Sequence, residues 1–516
     1  MVDFGYAFST PHRLTVCLPD SSQKTLLDVE AGAMRMAWST DDLRQKPLAA
    51  FMAPRTNWQV FLKPEIDGRP FTTSKWTRSE GWLPVLLNSY TDKVSLDLET
   101  VGGNTAAITR VSMINRDNVP HNVGIRCESP GGWKGFNPGW VQSDWDRDIL
   151  LAGWEDRADR IVVFALGADR FDVPTPNTVH PTWTLEPGKS SQGWIVRPYQ
   201  AYQAMVPGLR TKDWLAEFEE GKHAWRVLMA NASTISIPDV GVQNAFQACL
   251  ADCFVMSEEV ANGEVVSCPG TEIYRAPEPF EPLIASVLMD QVGLHKQAFD
   301  HAKTFYTLQG EDGNWADPQG WIHMIWGTSG IKSWAIMEHF RLTGDQTFLA
   351  EVYPRMAASS RWQESQRAKT CVLKNGEKPL TYGLMPRGMG DAGLIGEDGS
   401  HYGVFLSCNI QAVFADAMTV EAARALGKTK DLPALIKIHQ SGLEDLLQAL
   451  DRGAIDEDGY RWIPCEPGHA GDSKWGVLYA AFPCKILPPD HELITGTIRK
   501  IEAHISPGVF LLELGG

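Results

Sequence analysis

Residues 212–230, KDWLAEFEEGKHAWRVLMA, mark the point where the sequence changes from one kind of secondary structure to another. Trp214, Leu215, Phe218 and Trp225 recur here at helical spacing, and charged residues fill the opposite face. Before this segment apolar residues alternate with polar ones, whereas after it they follow a helical period. The pattern therefore predicts an N-terminal β region and a C-terminal helical region, joined by a helix.

The first 200 residues have the alternating pattern of antiparallel strands, interrupted by Gly, Pro, Asn and Asp. In the segment 94–101, VSLDLETV, apolar and polar residues occupy opposite faces, which predicts one face in the core and one face in water. Further strands are expected at 13–18, 107–114, 160–166 and 193–198. A large antiparallel β-sandwich is the simplest arrangement that buries one face of each strand.

The remainder of the chain is predicted to be helical. We expect helices at 240–259, 280–292, 294–308, 320–343, 346–368, 404–426, 431–450 and 489–503. Gly-rich loops separate several of them, so the alternation of helix and loop predicts a toroid of stacked α-hairpins. The predicted fold class is therefore α+β, with a β-sandwich domain at 1–205, a helical linker at 206–239 and the helical domain at 240–516.

Composition excludes several classes of partner. Asp and Glu number 63 against 47 Lys and Arg, and the net charge of −16 repels nucleic acid and anionic membrane surfaces. No apolar stretch approaches the roughly 20 residues that span a bilayer. The N-terminus lacks a basic segment followed by an apolar one, although this pattern is also compatible with secretion after signal removal. We predict a cytoplasmic protein that binds neither nucleic acid nor membranes.

Common nucleotide-binding, zinc-binding and serine-hydrolase motifs are absent from the sequence. The sequence holds no Walker phosphate loop, no HExxH zinc motif and no GxSxG serine motif. The GxGxxG match at 388–393 has no βαβ context and is interpreted as accidental. The nine cysteines are scattered and odd in number, which indicates reduced thiols. We predict no cofactor and no metal.

Tryptophan is unusually frequent, with 19 residues in the chain. Indole rings stack on the apolar faces of sugars, although they also serve as ordinary core residues. A carbohydrate substrate is therefore the partner that the composition favours, and homo-oligomerisation is left open.

A β-sandwich followed by a linking helix and α-hairpins resembles the six-hairpin glycosidases. That clan joins an N-terminal supersandwich to an (α/α)6 barrel and includes glucoamylase-like and rhamnosidase-like families. The resemblance covers the whole chain in architecture and leaves the family unassigned. The motifs that carry it are Ile237-Pro-Asp239, Tyr274-Arg275, Asp312-Gly-Asn-Trp315 and GLMPRGMGD at 383–391. It implies a glycoside hydrolase that uses a pair of carboxyl groups, with inversion as the expected outcome.

The number of helices departs from this resemblance. A full barrel needs twelve helices and, with their loops, at least about 300 residues. Only 516 − 240 = 276 residues follow residue 240, and the pattern supplies eight or nine helices. We therefore expect a barrel that is incomplete at the C-terminus, with the catalytic base lying near or beyond the end of this sequence.

The loop at 382–403, YGLMPRGMGDAGLIGEDGSHYG, is the main candidate for catalysis. It combines seven glycines with three acids, and in several families of the resembled clan the general acid lies in this loop. We therefore name Asp391 first as proton donor, followed by Glu397 and Asp398. The alternative interpretation is a solvated turn in which Asp and Gly only permit tight backbone geometry.

Substrate-binding residues are expected in this loop and in three other segments. Each candidate offers a hydrogen-bonding group or a flat aromatic face, which suits sugar hydroxyls and rings. The candidates are Arg275, Glu278, Glu281, Asp312, Trp315, Asp317, Arg387, His401, Tyr402, Glu466 and Trp475. The alternative for Glu281 is a favourable charge at a helix N-terminus.

Three further functions stay open at this point. A polysaccharide lyase on the same toroid would need a Tyr or His base and a group that neutralises a uronate, which His401, Tyr402, Asn409 and Arg275 could supply. A glycoside phosphorylase is the second alternative. A non-catalytic carbohydrate-binding protein is the third, and it would bind glycans without turnover.

Overall fold

The computed structural model describes residues 13–30, 33–39, 58–71, 73–129, 140–144, 148–152, 160–175, 177–260, 263–271, 275, 280–315, 327–390, 394–469, 476–503, 505–506 and 509–510. Two compact units make up the chain, Met1–Ala276 and Pro277–Gly516. The first unit contains antiparallel sheets and the second is mainly helical, so the predicted α+β fold class is confirmed. The division of the chain into separate domains at residues 205 and 239 stays a prediction.

Two eight-stranded antiparallel sheets form the sandwich of the first unit. Their strands are β1 (Arg13–Val16), β2 (Thr25–Glu30), β3 (Ala33–Trp38), β4 (Trp58–Ile66), β5 (Arg69–Pro70), β6 (Ser74–Arg78), β7 (Leu86–Thr91), β8 (Val94–Gly102), β9 (Ala106–Asn115), β10 (His121–Glu128), β11 (Trp140–Asp144), β12 (Asp148–Ala152), β13 (Ile161–Leu166), β14 (Arg170–Thr175), β15 (Thr178–Leu185) and β16 (Ser190–Pro198). One sheet has the order β1-β2-β3-β4-β10-β15-β14, with β5 beside β4, and the other has the order β11-β12-β13-β16-β9-β8-β7-β6.

The apolar faces of the two sheets meet in one core. Val94, Leu96 and Leu98 of β8 are fully buried in it, which confirms the strand predicted at 94–101. Trp183 of β15 is also fully buried, and its indole N–H donates to the Gly167 carbonyl at 2.7 Å. Burying that large ring without an unpaired N–H fixes the distance between the sheets locally.

The polar face of β8 is not exposed to solvent along its whole length, which corrects the prediction that this face lies in water. Glu99 is buried because helix α2 (Trp214–Ala230) covers this end of the strand. The ammonium group of Lys222 donates to the Glu99 carboxylate at 2.7 Å, and Ser79 donates to it at 2.8 Å. Asp213 caps this helix, because its side chain accepts the Ala216 N–H, and the helix predicted at 212–230 is confirmed.

Each of the eight segments predicted to be helical contains a helix. The α-helices within the described residues are α1 (Val206–Thr211), α2 (Trp214–Ala230), α3 (Val240–Val255), α4 (Phe280–Gln291), α5 (His295–Thr307), α6 (Thr328–Thr343), α7 (Gln346–Ala368), α8 (Leu406–Ala425), α9 (Leu432–Arg452) and α10 (Glu492–Glu502). The prediction at 240–259 is too long, because Ser257–Glu259 leaves the helix and pairs as strand β17 with Val265–Ser267, strand β18. Among the described residues, no helix combines the length and the apolar character needed to cross a bilayer.

Helix α8 lies at the centre of the helical unit, with α6, α7 and α9 packed around it. It runs parallel to α6, because Gly330 packs on Gln411 near the start of both helices and Arg341 pairs with Glu421 near their ends. Both helices therefore start at the same end of the unit. The described part of this unit also contains three small β-hairpins. They are β19 (Gly388–Met389) with β20 (Tyr402–Gly403), β21 (Ile455–Glu457) with β22 (Tyr460–Trp462), and β23 (Ile505–Ser506) with β24 (Val509–Phe510).

Candidate active site

The described parts of the loop predicted to carry catalysis pair as a hairpin just before α8. Strands β19 and β20 pair through Gly388 with Gly403 and Met389 with Tyr402. The Gly390 N–H donates to the His401 carbonyl at 3.0 Å, which extends the pairing by one step. Beneath it, an apolar cluster fixes the base of the hairpin, and its members are Leu394, Phe405, Cys408 and Cys465. The acidic loop is thus held on the first turn of a buried helix.

Glu466 fastens the far side of this hairpin. Its carboxylate accepts the backbone N–H of Glu397 at 2.7 Å and that of Val404 at 2.5 Å. Glycines permit this approach, because a Cβ on Gly403 would lie 2.7 Å from one carboxylate oxygen and a Cβ on Gly396 would lie 3.2 Å from the other. The structure therefore gives this predicted substrate ligand a positioning role, since both of its oxygens bind the loop backbone.

Asp398 is held in its ionised form. The guanidinium of Arg387 donates to its carboxylate, and Ser400 donates through its hydroxyl at 2.7 Å and its backbone N–H at 3.1 Å. These hydrogen bonds keep the pKa of the Asp398 carboxyl well below its usual range. The pair is about half exposed on both sides, so the charge faces solvent. A carboxylate with this environment can stabilise a cation, but it is a poor proton donor and a weak base at neutral pH.

Three other predicted residues of the hairpin point into solvent. Glu397 and His401 are exposed, and Tyr402 is 47% exposed. The His401 ring lies with Nδ1 at 3.1 Å from the Leu394 carbonyl, so Nδ1 carries the proton and donates. Asp391, the first-named proton donor, lies outside the described residues.

Asp312 and Trp315 have places in the packing of the helical unit. The Asp312 carboxylate accepts the Asn314 N–H at 3.0 Å and the indole N–H of Trp362 at 3.0 Å. Trp315 has no exposed surface, and its carbonyl accepts a hydrogen bond at 3.1 Å from the buried ammonium group of Lys332. In this arrangement Trp315 packs as a core residue, and Asp312 closes the turn that holds it.

Arg275 belongs to the first compact unit and is fully engaged there. Its guanidinium donates to Glu258 at 2.6 and 3.1 Å and to the Ser22 carbonyl at 2.6 Å, and only 3% of the residue is exposed. Glu281 is exposed in the first turn of α4, where a negative charge favours the helix N-terminus. Glu278, Asp317 and Trp475 lie outside the described residues.

The sequence analysis missed a buried polar network that fixes the helices below the hairpin. Asp416 of α8 accepts Arg367 at 2.8 Å and the Gln363 amide at 2.9 Å, and Gln363 in turn accepts the hydroxyl of Ser329 at 2.7 Å. Asp416 is 1% exposed. An isolated acid within the apolar run of α8 was the available signal, because a buried carboxylate needs a cationic partner.

Two buried polar side chains near the start of α8 have no hydrogen-bond partner within the described structure. They are Ser407, 2% exposed, and Gln411, 1% exposed, which lie one turn apart on the same helix face. Buried polar groups are nearly always hydrogen-bonded, so these two side chains are suited to bound water, and Gln411 packs against Gly330 of α6. The described residues contain no group of His, Cys, Asp and Glu that could hold a metal ion.

Comparisons with known proteins give a fold and leave the family open. No family model matches the sequence. No curated protein matches it either. Among solved structures, a bacterial glucoamylase complexed with acarbose is similar over 96% of this chain and 78% of its own, with a TM-score of 0.58 and 10% sequence identity. The chain therefore has a glucoamylase-type fold, in which a β-sandwich is combined with a helical toroid.

Proposed function

We propose that this protein is a glycoside hydrolase that cleaves a glycosidic bond in an oligo- or polysaccharide. The observation that carries the proposal is a fold shared over 96% of the chain with a glucoamylase that holds acarbose, an oligosaccharide-like ligand. The ordered acidic hairpin before α8 supports it, because hydrolysis of a glycoside needs two carboxyl groups placed across the scissile bond.

Separate roles are proposed for the acids of the hairpin. Asp391 is the proposed proton donor to the glycosidic oxygen as its bond to the anomeric carbon breaks, with Glu397 as the alternative. Asp398, kept ionised by Arg387, is suited to stabilise the positive charge that develops at that carbon. The water whose oxygen bonds to the carbon gives a proton to Glu397 where Asp391 is the donor. One proton enters the leaving sugar and one leaves the water, so the products are two free sugars and the reaction is expected to invert.

The substrate is proposed to lie on the exposed side of the hairpin. Tyr402 and His401 offer a ring face and a hydrogen-bonding group there, and Arg387 offers donors beside Asp398. Glu466 would act as a positioning residue through the backbone of Glu397 and Val404 rather than by direct contact.

A polysaccharide lyase is supported less well. Two groups considered as neutralisers of a uronate carboxylate are already in use. Asn409 accepts the Met385 N–H at 2.7 Å and donates to the Phe405 carbonyl at 2.8 Å, and Arg275 is paired with Glu258. Each is only 3% exposed, so neither is open to a substrate carboxylate.

The test is an activity screen on neutral oligosaccharides and aryl glycosides, with detection of both reducing ends and unsaturated uronyl products. Asp391→Asn is expected to lower kcat about 10²–10⁴-fold on oligosaccharides, and much less on dinitrophenyl glycosides, whose leaving group needs little protonation. Asp398→Asn should lower both rates similarly, since both kinds of leaving group depart from a sugar that becomes positively charged. Glu377→Gln, an exposed acid outside the hairpin, is the matched control.

Release of unsaturated product would replace the hydrolase by a lyase. Cleavage that depends on added inorganic phosphate would indicate a phosphorylase. Full activity of Asp391→Asn and Glu397→Gln would overturn the proposed proton donors, and glycan binding without any turnover would overturn the hydrolase itself.

A further inference from the structure

A surface groove of about 670 Å³ lies between the hairpin β21–β22 and helix α10. This volume falls within the range of sites that bind small molecules, roughly 300–1,000 Å³. The groove lies in the helical unit and shares no residue with the candidate active-site hairpin. The side chains on which the inference depends are Asp456, Tyr460, Arg461, Glu492 and Arg499.

The two walls of the groove are fixed to each other. The Arg461 carbonyl approaches α10 so closely that a Cβ on Gly496 would lie 1.8 Å from its oxygen. The Ile463 N–H donates to the Thr497 hydroxyl at 2.9 Å, and the Lys500 ammonium donates to Glu457 at 2.6 Å. A groove with fixed walls loses little conformational entropy when a ligand binds.

The lining is polar and offers both acceptors and donors. The side chains of Asp456 and Glu492 are 82% and 64% exposed, so their carboxylates can accept hydroxyl groups. Arg461 donates to Glu492 at 2.9 Å and lies 3.6 Å from Asp456, which holds these carboxylates in place. The half-buried ring of Tyr460 adds an aromatic surface between them. Fixed carboxylates beside an aromatic face suit a sugar.

The charge of the groove selects against anionic ligands. Four carboxylates line it, those of Asp456, Glu457, Asp458 and Glu492, against the guanidinium groups of Arg461 and Arg499. Lys500 pairs with Glu457, which leaves an excess of one negative charge, and this excess repels uronates and phosphates. Arg499 is exposed and makes no ion pair within the part of the chain that the structure describes, so its donors are open to a neutral ligand.

The groove also lies close to the candidate active site along the chain. Arg461 precedes Glu466 by five residues, and an extended chain spans at most about 3.6 Å per residue, which places these two backbone positions within roughly 18 Å. Glu466 binds the catalytic hairpin directly. One oligosaccharide chain several sugars long is therefore able to reach both places.

We propose that this groove is an accessory site for a neutral oligosaccharide, which holds the part of a long substrate that extends beyond the catalytic hairpin. The proposal rests on the proposed function for its ligand class. It names the preferred substrate as a neutral, extended glycan rather than a uronate-containing or phosphorylated one.

Two variants test the groove, Tyr460→Ala and Arg499→Gln. We expect each to raise KM for a neutral oligosaccharide of six or more sugars about five- to twentyfold. The same variants should leave kcat/KM for a small aryl glycoside unchanged, because that substrate is too short to enter the groove. Arg424→Gln, an exposed arginine in the last turn of α8, is the matched control and should change neither value.

Direct binding separates this proposal from the proposed function. Isothermal titration of the wild-type chain with neutral and uronate-containing oligosaccharides should show binding of the neutral chain, and weaker binding in Arg499→Gln. Loss of activity on both long and short substrates, no change on either, or tighter binding of the uronate would overturn the accessory site. If no substrate is cleaved, the proposed hydrolase activity is wrong. The titration still shows whether the groove binds a neutral oligosaccharide.

Discussion

The carboxylate of Glu466 binds the backbone N–H of Glu397, 69 residues earlier in the chain, at 2.7 Å. The same carboxylate accepts the backbone N–H of Val404, which directly follows the returning strand β20. One side chain thus fixes both sides of the acidic hairpin, and the proposed catalytic groups depend on a residue that need not touch the substrate.

Replacement of Glu466 by Gln should loosen the hairpin. The amide keeps one acceptor oxygen but turns an NH2 group toward a backbone N–H, which leaves a donor unpaired at a cost of about 1–3 kcal/mol. We expect faster hydrogen–deuterium exchange at residues 394–404 and a lower kcat at nearly unchanged KM for short substrates. Glu377→Gln is the control, and unchanged exchange in Glu466→Gln would contradict the positioning role.

Gly403→Ala should have a similar effect by a different route. Its Cβ would lie 2.7 Å from the Glu466 carboxylate and 2.9 Å from the Phe405 ring, so the carboxylate must move away from the hairpin. Activity is expected to fall at least about tenfold, with loss of protection of the Val404 amide. Gly208→Ala in α1 is the matched control, because a Cβ there meets nothing within 4 Å.

The charge of Asp398 should persist into acidic solution. Hydrogen bonds from Arg387 and Ser400 lower the pKa of its carboxyl in the folded chain, so the pairing is intact above the unfolded value of about 3.9 and is lost only as pH falls through the lower, folded value. Carbon NMR of the labelled carboxyl should show no titration of Asp398 between pH 4 and 7. Arg387→Gln should move the titration up toward the ordinary range, and a wild-type midpoint near 4 would disprove the pairing.

The buried pair of Asp416 and Arg367 should be costly to break on one side. Asp416→Ala leaves a buried guanidinium without its partner carboxylate, and we expect a loss of about 3–5 kcal/mol in the free energy of unfolding. The double variant Asp416→Leu with Arg367→Met should recover most of that loss, since no charge then remains buried. Urea denaturation measures both, and equal destabilisation by single and double variants would contradict the coupling.

The periodicity of the sequence predicted helices and strands well where local signals alone determine the structure. The segment 346–368 coincides with α7, because its helix starts at the Asp345 cap and carries its own apolar face. Glu99 was predicted in water and is buried, because the face of a strand depends on a helix more than 100 residues later. Residues 257–259 were predicted as helix and pair as strand for the same reason, since their partner at 265–267 outweighs local propensity.

In the candidate site, too, local features were predicted and features that depend on the folded packing were not. Gly-rich composition predicted the loop at 382–403, and its glycines allow the turn and the approach of Glu466. Composition did not distinguish Asp398 from Glu397, because their difference arises from Arg387 and Ser400 folding back on one of them. Nor did it separate Trp315, a core residue, from an exposed aromatic, since burial is a property of the packed unit.

The distance in sequence between Glu466 and the hairpin also has a meaning for biosynthesis. At about 5–20 residues per second, residue 466 follows residue 397 from the ribosome after roughly 3–14 seconds. During that interval the hairpin has no carboxylate to close it, and its acids are not yet placed. Acquisition of the proposed activity should therefore coincide with late docking of the 455–469 segment, and nascent chains released before residue 466 should remain inactive however well their sandwich has folded.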